Sequence, residues 1–448
     1  MSTLPRILRH LAELSRLAWP VIISRSGIMV MALVDTVMVG RYSTTELAYQ
    51  GLGWAPATTL TLIGIGLLLG TLVLAAEATG GGRDAESGAA WRHGMTLSLV
   101  VGVPCAVLSL FGEEFFLLTG QTPGLAEGSG RVMAVFGLGI PLTFTFFATT
   151  FFLEGIGRPL PGMIAMAIAN VGNMGLNWLL IGGEMGFPAL GAEGAAWGTT
   201  IARGVVAVGL VIYLWFMADH ARFAVRQRAK GGWAGWKLQR QLGYAAGIAI
   251  GAESLAFGLV NVFAGWLGEE ALAAFSIAFN MMSVVFTAAL GIGAAAAVRV
   301  GTAWGRKDPA DMALAGWVGI SANTAVMILC GGSYILFAEA LVGIYSTDPA
   351  IIALAIPLVY VAALALIPDG GQVVMANALR GRGETWATTA IQSFVYLGLM
   401  IPGTWALAIP LGRGPVGLFE GILLASLVSI GLLAWRFQVL ARRDRNRA

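Results

Sequence analysis

Charge is what this sequence has least of. Only 11% of its 448 residues are Asp, Glu, Lys or Arg, whereas soluble domains average roughly 25%, so an ordinary water-soluble globule is excluded. Lysine occurs only at Lys230, Lys237 and Lys307, none of them in the G-x-x-x-x-G-K-[ST] pattern that cradles phosphates, so no P-loop is present to bind ATP. His10, His93 and His220 fall at span ends or in loops, which leaves no H-E-x-x-H motif, no zinc site within an apolar segment and no support for a membrane enzyme. The two cysteines, Cys105 and Cys330, lie inside apolar runs and imply no disulfide framework.

Apolar residues fill the space that charge leaves. They make up 57% of the chain, enough for about twelve membrane spans of about 20 residues each, with no sizeable soluble domain left over. Glycine, at 62 residues, suits close helix packing through small side chains. The runs fall at Leu17 to Val39, Leu52 to Ala75, Met95 to Phe111, Val132 to Leu153, Met163 to Ile181 and Ala195 to Met217. After a basic stretch from His220 to Arg240 come Leu242 to Leu267, Phe275 to Val298, Ala313 to Phe337, Ile351 to Leu379, Trp386 to Ile409 and Val416 to Val439. The expected fold is therefore all-α and integral to the membrane. Its twelve transmembrane helices form two six-helix lobes, residues 1–217 and 242–448, joined by a cytoplasmic basic linker, 218–241.

Basic residues are distributed unevenly about these spans. Apart from Arg25 and Arg203, which lie within spans, only Arg41, Arg131 and Arg413 fall on one side, and all others fall on the side of the two termini. By the positive-inside rule both termini are cytoplasmic, which accounts for the basic pI near 9.0 without nucleic acid. The two halves also repeat. GRYSTTELA (Gly40 to Ala48) matches GWLGEEALA (Gly265 to Ala273), LEGIGRP (Leu153 to Pro159) matches LRGRGET (Leu379 to Thr385), and Cys105 falls opposite Cys330, all about 225 residues apart.

The informative residues are the ionisable ones within spans, where a charge costs roughly 2.5 to 3.5 kcal/mol at mid-bilayer on insertion scales. Asp35 stands in MALVDTVMVG, Glu253 in GIAIGAESLAFG and Asp369 in LALIPDGGQVV, the last two with no obvious basic partner on their own helices. A carboxylate there takes a proton, coordinates a cation or pairs with a base, and competition between proton and cation is what a coupled antiporter needs. The structural alternative is a salt bridge or a hydrogen bond between helices. Asn170, Asn173 and Asn177 share one face of the fifth span, as interhelical glue or as the wall of a hydrophilic cavity. Arg25 and Arg203 read equally as counter-ions or as snorkelling cations, and Glu420 as interfacial or structural. Pro357 and Pro368 are expected to weaken or bend the tenth span around Asp369.

LAWPVIISRSGIMVMALVDTVMVGRYSTTELA, around Asp35, resembles the first-helix signature of the multidrug and toxic compound extrusion (MATE) transporters. The likeness continues through LEGIGRP, GFPALGAEGAAWGTT, IGAAAAVRVGTAWGR and PDGGQVVMANALRGRGET. It implies a pseudo-symmetric pair of lobes that export cationic or amphipathic compounds by alternating access, in exchange for Na+ or H+, with no other cofactor. Residues similar to Glu253 and Asp369 bind the coupling cation in the NorM-like branch, and Asp35, Asn173, Asn177 and Thr199 match the polar cluster of the N-terminal lobe. A Na+ at Glu253, Asp369 or Asp35 is thus the one metal expected. Ala365 departs from the pattern, standing where some NorM-like members carry a tyrosine. The partners implied are small molecules and the lipid bilayer, with the chain a monomer in a bacterial inner membrane. A lipid or polysaccharide flippase and a solute uptake symporter remain as alternatives.

Overall fold

In the computed structural model, which describes residues 3–228 and 232–447, the described chain is helical throughout and contains twelve helices long and apolar enough to cross a membrane. In order they are Thr3–Tyr42, Thr44–Gly80, Asp84–Ser109, Pro123–Gly155, Leu160–Ile181, Gly191–Phe216, Lys237–Trp266, Glu269–Gly305, Pro309–Leu336, Pro349–Gly381, Trp386–Ala408 and Gly414–Arg445. They are called here the first to twelfth spans. Most extend past the apolar runs that predicted them, because polar residues flanking those runs continue the helix. Asp308 and Asp348 accept from the backbone N–H groups of Asp311 and Ala350, each with a proline at the first helical position. The tenth span stays helical through Pro357 and Pro368. The eleventh contains a π-helical segment, Phe394–Met400.

Two short helices escape a reading based on run length. Gly112–Leu118 precedes the fourth span and Ala338–Tyr345 precedes the tenth, so the halves repeat in this detail as well. Packing repeats too. The fourth span contacts the second, third and sixth, and the tenth contacts the eighth, ninth and twelfth. Small residues permit these approaches. A Cβ on Gly64 would sit 1.9 Å from the ring of Phe144, and one on Gly381 would sit 2.5 Å from the Ala297 carbonyl. Large apolar side chains such as Leu33, Val205 and Leu329 are exposed, as lipid-facing residues are.

By their contacts the residues form two compact units, 23–247 in one and 1–22 with 248–448 in the other. The divisions fall inside the first and seventh spans, between Ile22 and Ile23 and between Gly247 and Ile248. The first turns of the first span join the second unit through Asp311, which is 2% exposed. Its carboxylate accepts from Arg9 at 3.0 Å and Arg306 at 2.6 Å and lies 2.9 Å from His10 Nε2. Nδ1 of His10 faces Arg299 at 3.0 Å.

The basic stretch after the sixth span is anchored within residues 23–247. Arg222 pairs with Asp84 at 2.6 Å, Phe223 is buried, and its carbonyl would lie 1.7 Å from a Cβ on Gly88. The Arg158 guanidinium hydrogen-bonds Asp219 and holds its carboxyl below the usual carboxylate range. Lys230 lies outside the described residues.

Because Phe144 is fully buried, Gly64→Val should overpack the second and fourth spans by roughly 1 to 3 kcal/mol. The detergent-solubilised variant should melt several degrees below wild type by intrinsic fluorescence. Gly209→Ala, where a Cβ meets nothing within 4 Å, should not.

Candidate functional site

Asp35 sits in the middle of a closed polar cluster. One carboxylate oxygen accepts from Asn173 Nδ2 at 3.0 Å and Asn177 Nδ2 at 2.6 Å, and the other from Thr199 Oγ1 at 2.6 Å. Asn173 also donates to Thr199 at 3.0 Å. All four side chains are buried. The first, fifth and sixth spans each contribute, so the sequence-predicted N-terminal set converges on one point. Asn170 stands apart, donating to the Met166 carbonyl. A hydrogen bond to a charged group is worth roughly 1.5 to 3 kcal/mol, so three donors offset what burying the carboxylate costs. A cation arriving at Asp35 therefore has to displace one of its neighbours. Gly198 makes room for the cluster, since a Cβ there would lie 2.3 Å from Asn177 Oδ1.

Arg25 is a counter-ion rather than a snorkelling cation. It pairs with the buried Glu154 at 3.4 Å and lies over the rings of Phe147 and Phe151, 4.9 and 5.1 Å from their centroids. Arg203 feels the charge of Asp35 but is not in contact with it. Glu420 pairs with Arg413, at 2.7 Å between Oε2 and Nε, so its role is structural.

The C-terminal carboxylates are less well satisfied. Asp369 is 2% exposed and Glu253 half-buried, and they lie within electrostatic reach of each other. Gln372 Nε2 and Ser426 Oγ both donate to Oδ1 of Asp369, at 2.8 and 3.3 Å, while no donor among the described residues reaches Oδ2. Gln372 Nε2 also donates to the Tyr396 hydroxyl at 3.1 Å, and that hydroxyl faces Glu253. Tyr396 is carried by the π-helical segment of the eleventh span. Such segments shift the register of one face of a helix and are common at functional sites. Thus a phenol reaches the site from the eleventh span even though Ala365 supplies none from the tenth.

Neither carboxylate pairs with a base on its own helix, but Glu253 faces one on another. Arg380, grouped by sequence with the terminal-side loops, is 6% exposed within the tenth span, the helix of Asp369, and its charge acts on Glu253. It donates to Gln392 at 2.6 Å. Run length placed it in a loop because the hydrophobic run ends at Leu379, whereas the helix continues to Gly381. Several buried polar atoms around this site have no partner, among them Gln372 Oε1, both amide atoms of Asn323, and Arg380 Nε. Asn323 lies against the tenth span next to Asp369, where a Cβ on Gly370 would meet its Nδ2 at 2.9 Å. Of these residues Gln372 and Arg380 fall within motifs singled out in the sequence, whereas Asn323 does not. No group of three or more His, Cys, Asp or Glu side chains with metal-site geometry occurs among the described residues.

The MatE family model matches residues 20–179 and again 246–406, so each half is matched once. The probable multidrug resistance protein NorM of Caulobacter vibrioides is 40% identical over 99% of this chain and 94% of its own length. The multidrug resistance protein PmpM of Pseudomonas aeruginosa is 31% identical over 98% of this chain and 93% of its own. Among solved structures, an outward-facing multidrug resistance MATE family transporter of the MOP superfamily superposes with a TM-score of 0.90 at 19% identity, covering 98% of this chain and 97% of that one.

Gly198→Ala should push the Asn177 carboxamide off Asp35. Labelling of Asp35 by a hydrophobic carbodiimide, read by mass spectrometry of the purified protein, should rise several-fold over wild type, with Gly209→Ala unchanged.

Proposed function

Since the chain belongs to the MatE family, we propose that it is a multidrug efflux transporter, exporting cationic or amphipathic organic compounds in exchange for Na+ or H+. It is a multi-pass membrane protein and a transporter rather than an enzyme. The names of its relatives support efflux of more than one drug. The mechanism is alternating access, with Glu253 and Asp369 as the coupling carboxylates.

One observation carries that assignment. In the N-terminal site both carboxylate oxygens of Asp35 accept hydrogen bonds and a cation, Arg203, acts on it, so the pair is neutral without an incoming ion. In the C-terminal site Glu253 lies within electrostatic reach of Asp369 and of a single guanidinium, Arg380, so that with both carboxyls ionised one negative charge would stay uncompensated. One monovalent cation or one proton cancels it. The available donors, carboxylate, carboxamide and phenol oxygens, are hard and suit Na+ as well as H+. Asp369 Oδ2 and Gln372 Oε1 are the atoms left free to receive it. The ion's role would be to supply that charge, and the protein's to hold the oxygens in place and keep water out. Asp35 with Asn173, Asn177 and Thr199 then acts as a second proton- or cation-sensitive cluster that ties the first span to the fifth and sixth. We place both termini in the cytoplasm, on the basic-residue asymmetry.

Glu253→Gln or Asp369→Asn, reconstituted in proteoliposomes with an imposed Na+ or proton gradient, should lower gradient-driven export of a cationic dye about tenfold or more, the loss expected when a charged partner worth roughly 1.5 to 3 kcal/mol is removed. Should both variants retain coupling, the role passes to Asp35 and Asp35→Asn becomes the decisive variant. The orientation is checked with single cysteines at Ser346 and Gln227 in a Cys-less background. An impermeant maleimide added to intact cells should label position 346 and leave 227 unlabelled.

A further inference from the structure

Within the unit formed by residues 1–22 and 248–448, the first, eighth and ninth spans line an open cavity of about 410 Å³ at their terminal-side ends. Four arginines face it, Arg6 and Arg9 from the first span, Arg299 from the eighth and Arg306 from the turn that follows, against three carboxylates, Glu13, Asp308 and Asp311. The carboxylates are spent on the protein itself. Oδ1 of Asp311 meets Arg9 and His10, and Oδ2 accepts from Arg306. Asp308 accepts from the Asp311 N–H at the head of the ninth span, and Glu13 pairs with Arg299. The guanidiniums keep donors to spare. Arg6, Arg9 and Arg306 all converge on the one carboxylate of Asp311, each through Nη2, and their side chains remain 39, 53 and 42% exposed. Arg299 Nε is buried with no acceptor among the described residues. Among those residues the arginines facing the cavity outnumber the carboxylates by one.

The height of the cavity in the fold narrows what would fill it. Arg299 directly follows the apolar run of the eighth span, which ends at Val298, and Asp311 shortly precedes that of the ninth, which begins at Ala313. The cavity therefore opens where hydrocarbon gives way to headgroups. Leu8, between Arg6 and Arg9 in sequence, is exposed, as a side chain against acyl chains is. A cation would meet like charge here, and an apolar group would leave the guanidinium donors unmet. Paired N–H groups of arginine match the oxygens of a phosphate, and basic pockets between spans at this level suit anionic headgroups.

We propose that this cavity binds the phosphate of an anionic lipid headgroup in the leaflet on the side of the two termini, its oxygens received by Arg6, Arg9 and Arg306, with Arg299 adding its charge. A phosphodiester brings the single negative charge that balances the lining. In phosphatidylcholine the same phosphodiester is cancelled by its own ammonium, so the site selects by net charge as well as by phosphate. A bound headgroup adds a second tie, beside Asp311, between the first turns of the first span and the eighth and ninth spans. Neither the coupling ion nor the direction of transport enters this inference.

Delipidated full-length protein in neutral detergent is incubated with equal amounts of phosphatidylglycerol and phosphatidylcholine, and bound lipid is counted by native mass spectrometry. Phosphatidylglycerol should be retained about tenfold or more over phosphatidylcholine, as expected for charge-assisted pairs with arginine. Arg6→Gln combined with Arg9→Gln should bring the two lipids level, whereas Arg6→Lys combined with Arg9→Lys should keep most of the preference. Arg443→Gln removes an exposed charge from the same side of the same unit without touching the cavity, and should change nothing. Should the glutamine pair fail to fold, Arg6→Glu decides, because Arg6 lies 3.7 Å from Asp311, beyond hydrogen-bond distance. Inorganic phosphate in large molar excess should leave the lipid bound. Equal retention of the two lipids by wild type, a preference that survives the loss of Arg6 and Arg9, an equal loss in Arg443→Gln, or displacement by inorganic phosphate, which would assign the cavity to a soluble anion, would each overturn the proposal.

Discussion

Inside a bilayer a charge must find its compensation within the protein, and the polar architecture of this chain follows from that constraint. Each interior charge is met in a different way. Arg25 and Glu154 neutralise each other, with two phenylalanine rings covering the cation. Asp35 is satisfied by neutral donors from two other spans. Glu253, Asp369 and Arg380 do not balance. A structural network that closes its own charge has no use for an ion, whereas the proposed coupling role falls to the network whose charges do not close. The asymmetry between the halves is thus electrostatic although their backbones repeat.

The repeat sharpens this contrast. Glu154 in LEGIGRP and Arg380 in LRGRGET occupy matching places in the two halves, yet their charges are opposite. Each feels an opposite charge from the first span of its own half, Arg25 in contact with Glu154 and Glu253 within electrostatic reach of Arg380, again with the sign reversed. The same helix pair therefore carries opposite charges in both halves, with the signs inverted. Only in the second half does an additional carboxylate, Asp369, join it. That one extra acid is what turns a structural pair into a site with an open charge.

Most of the fold was legible because bilayer thickness converts run length into helix count, and the repeat fixed the register of the two halves. The short helices at Gly112–Leu118 and Ala338–Tyr345 were not, since neither is long enough to register as a run. Of the site, the carboxylates and the asparagine pair were legible because a polar residue in an apolar run is conspicuous. Tyr396 was not, because a tyrosine in a membrane helix is unremarkable until a π-helical turn directs it to a carboxylate. Arg380 was hidden by its position just past the apolar run, and Asn323 by the lack of any motif around it. Contacts between helices distant in sequence, such as Ser426 with Asp369, leave no local signal at all.

The division of the first and seventh spans bears on how charge at these sites can be felt elsewhere. The chain passes between its two compact units twice, at Ile22–Ile23 and Gly247–Ile248, and both crossings are continuous helix rather than loop. A helix transmits a displacement along its axis and resists bending unless a proline, a glycine or a local rupture of its ladder intervenes. Gly247 supplies such a point at the second crossing, and Pro20 lies just before the first. Glu253 follows the second crossing by about one and a half turns. A change in its charge state alters the forces on a helix close to the place where that helix leaves one unit for the other. The carboxylate proposed for coupling thus lies close to a point where continuous helix runs from one compact unit into the other.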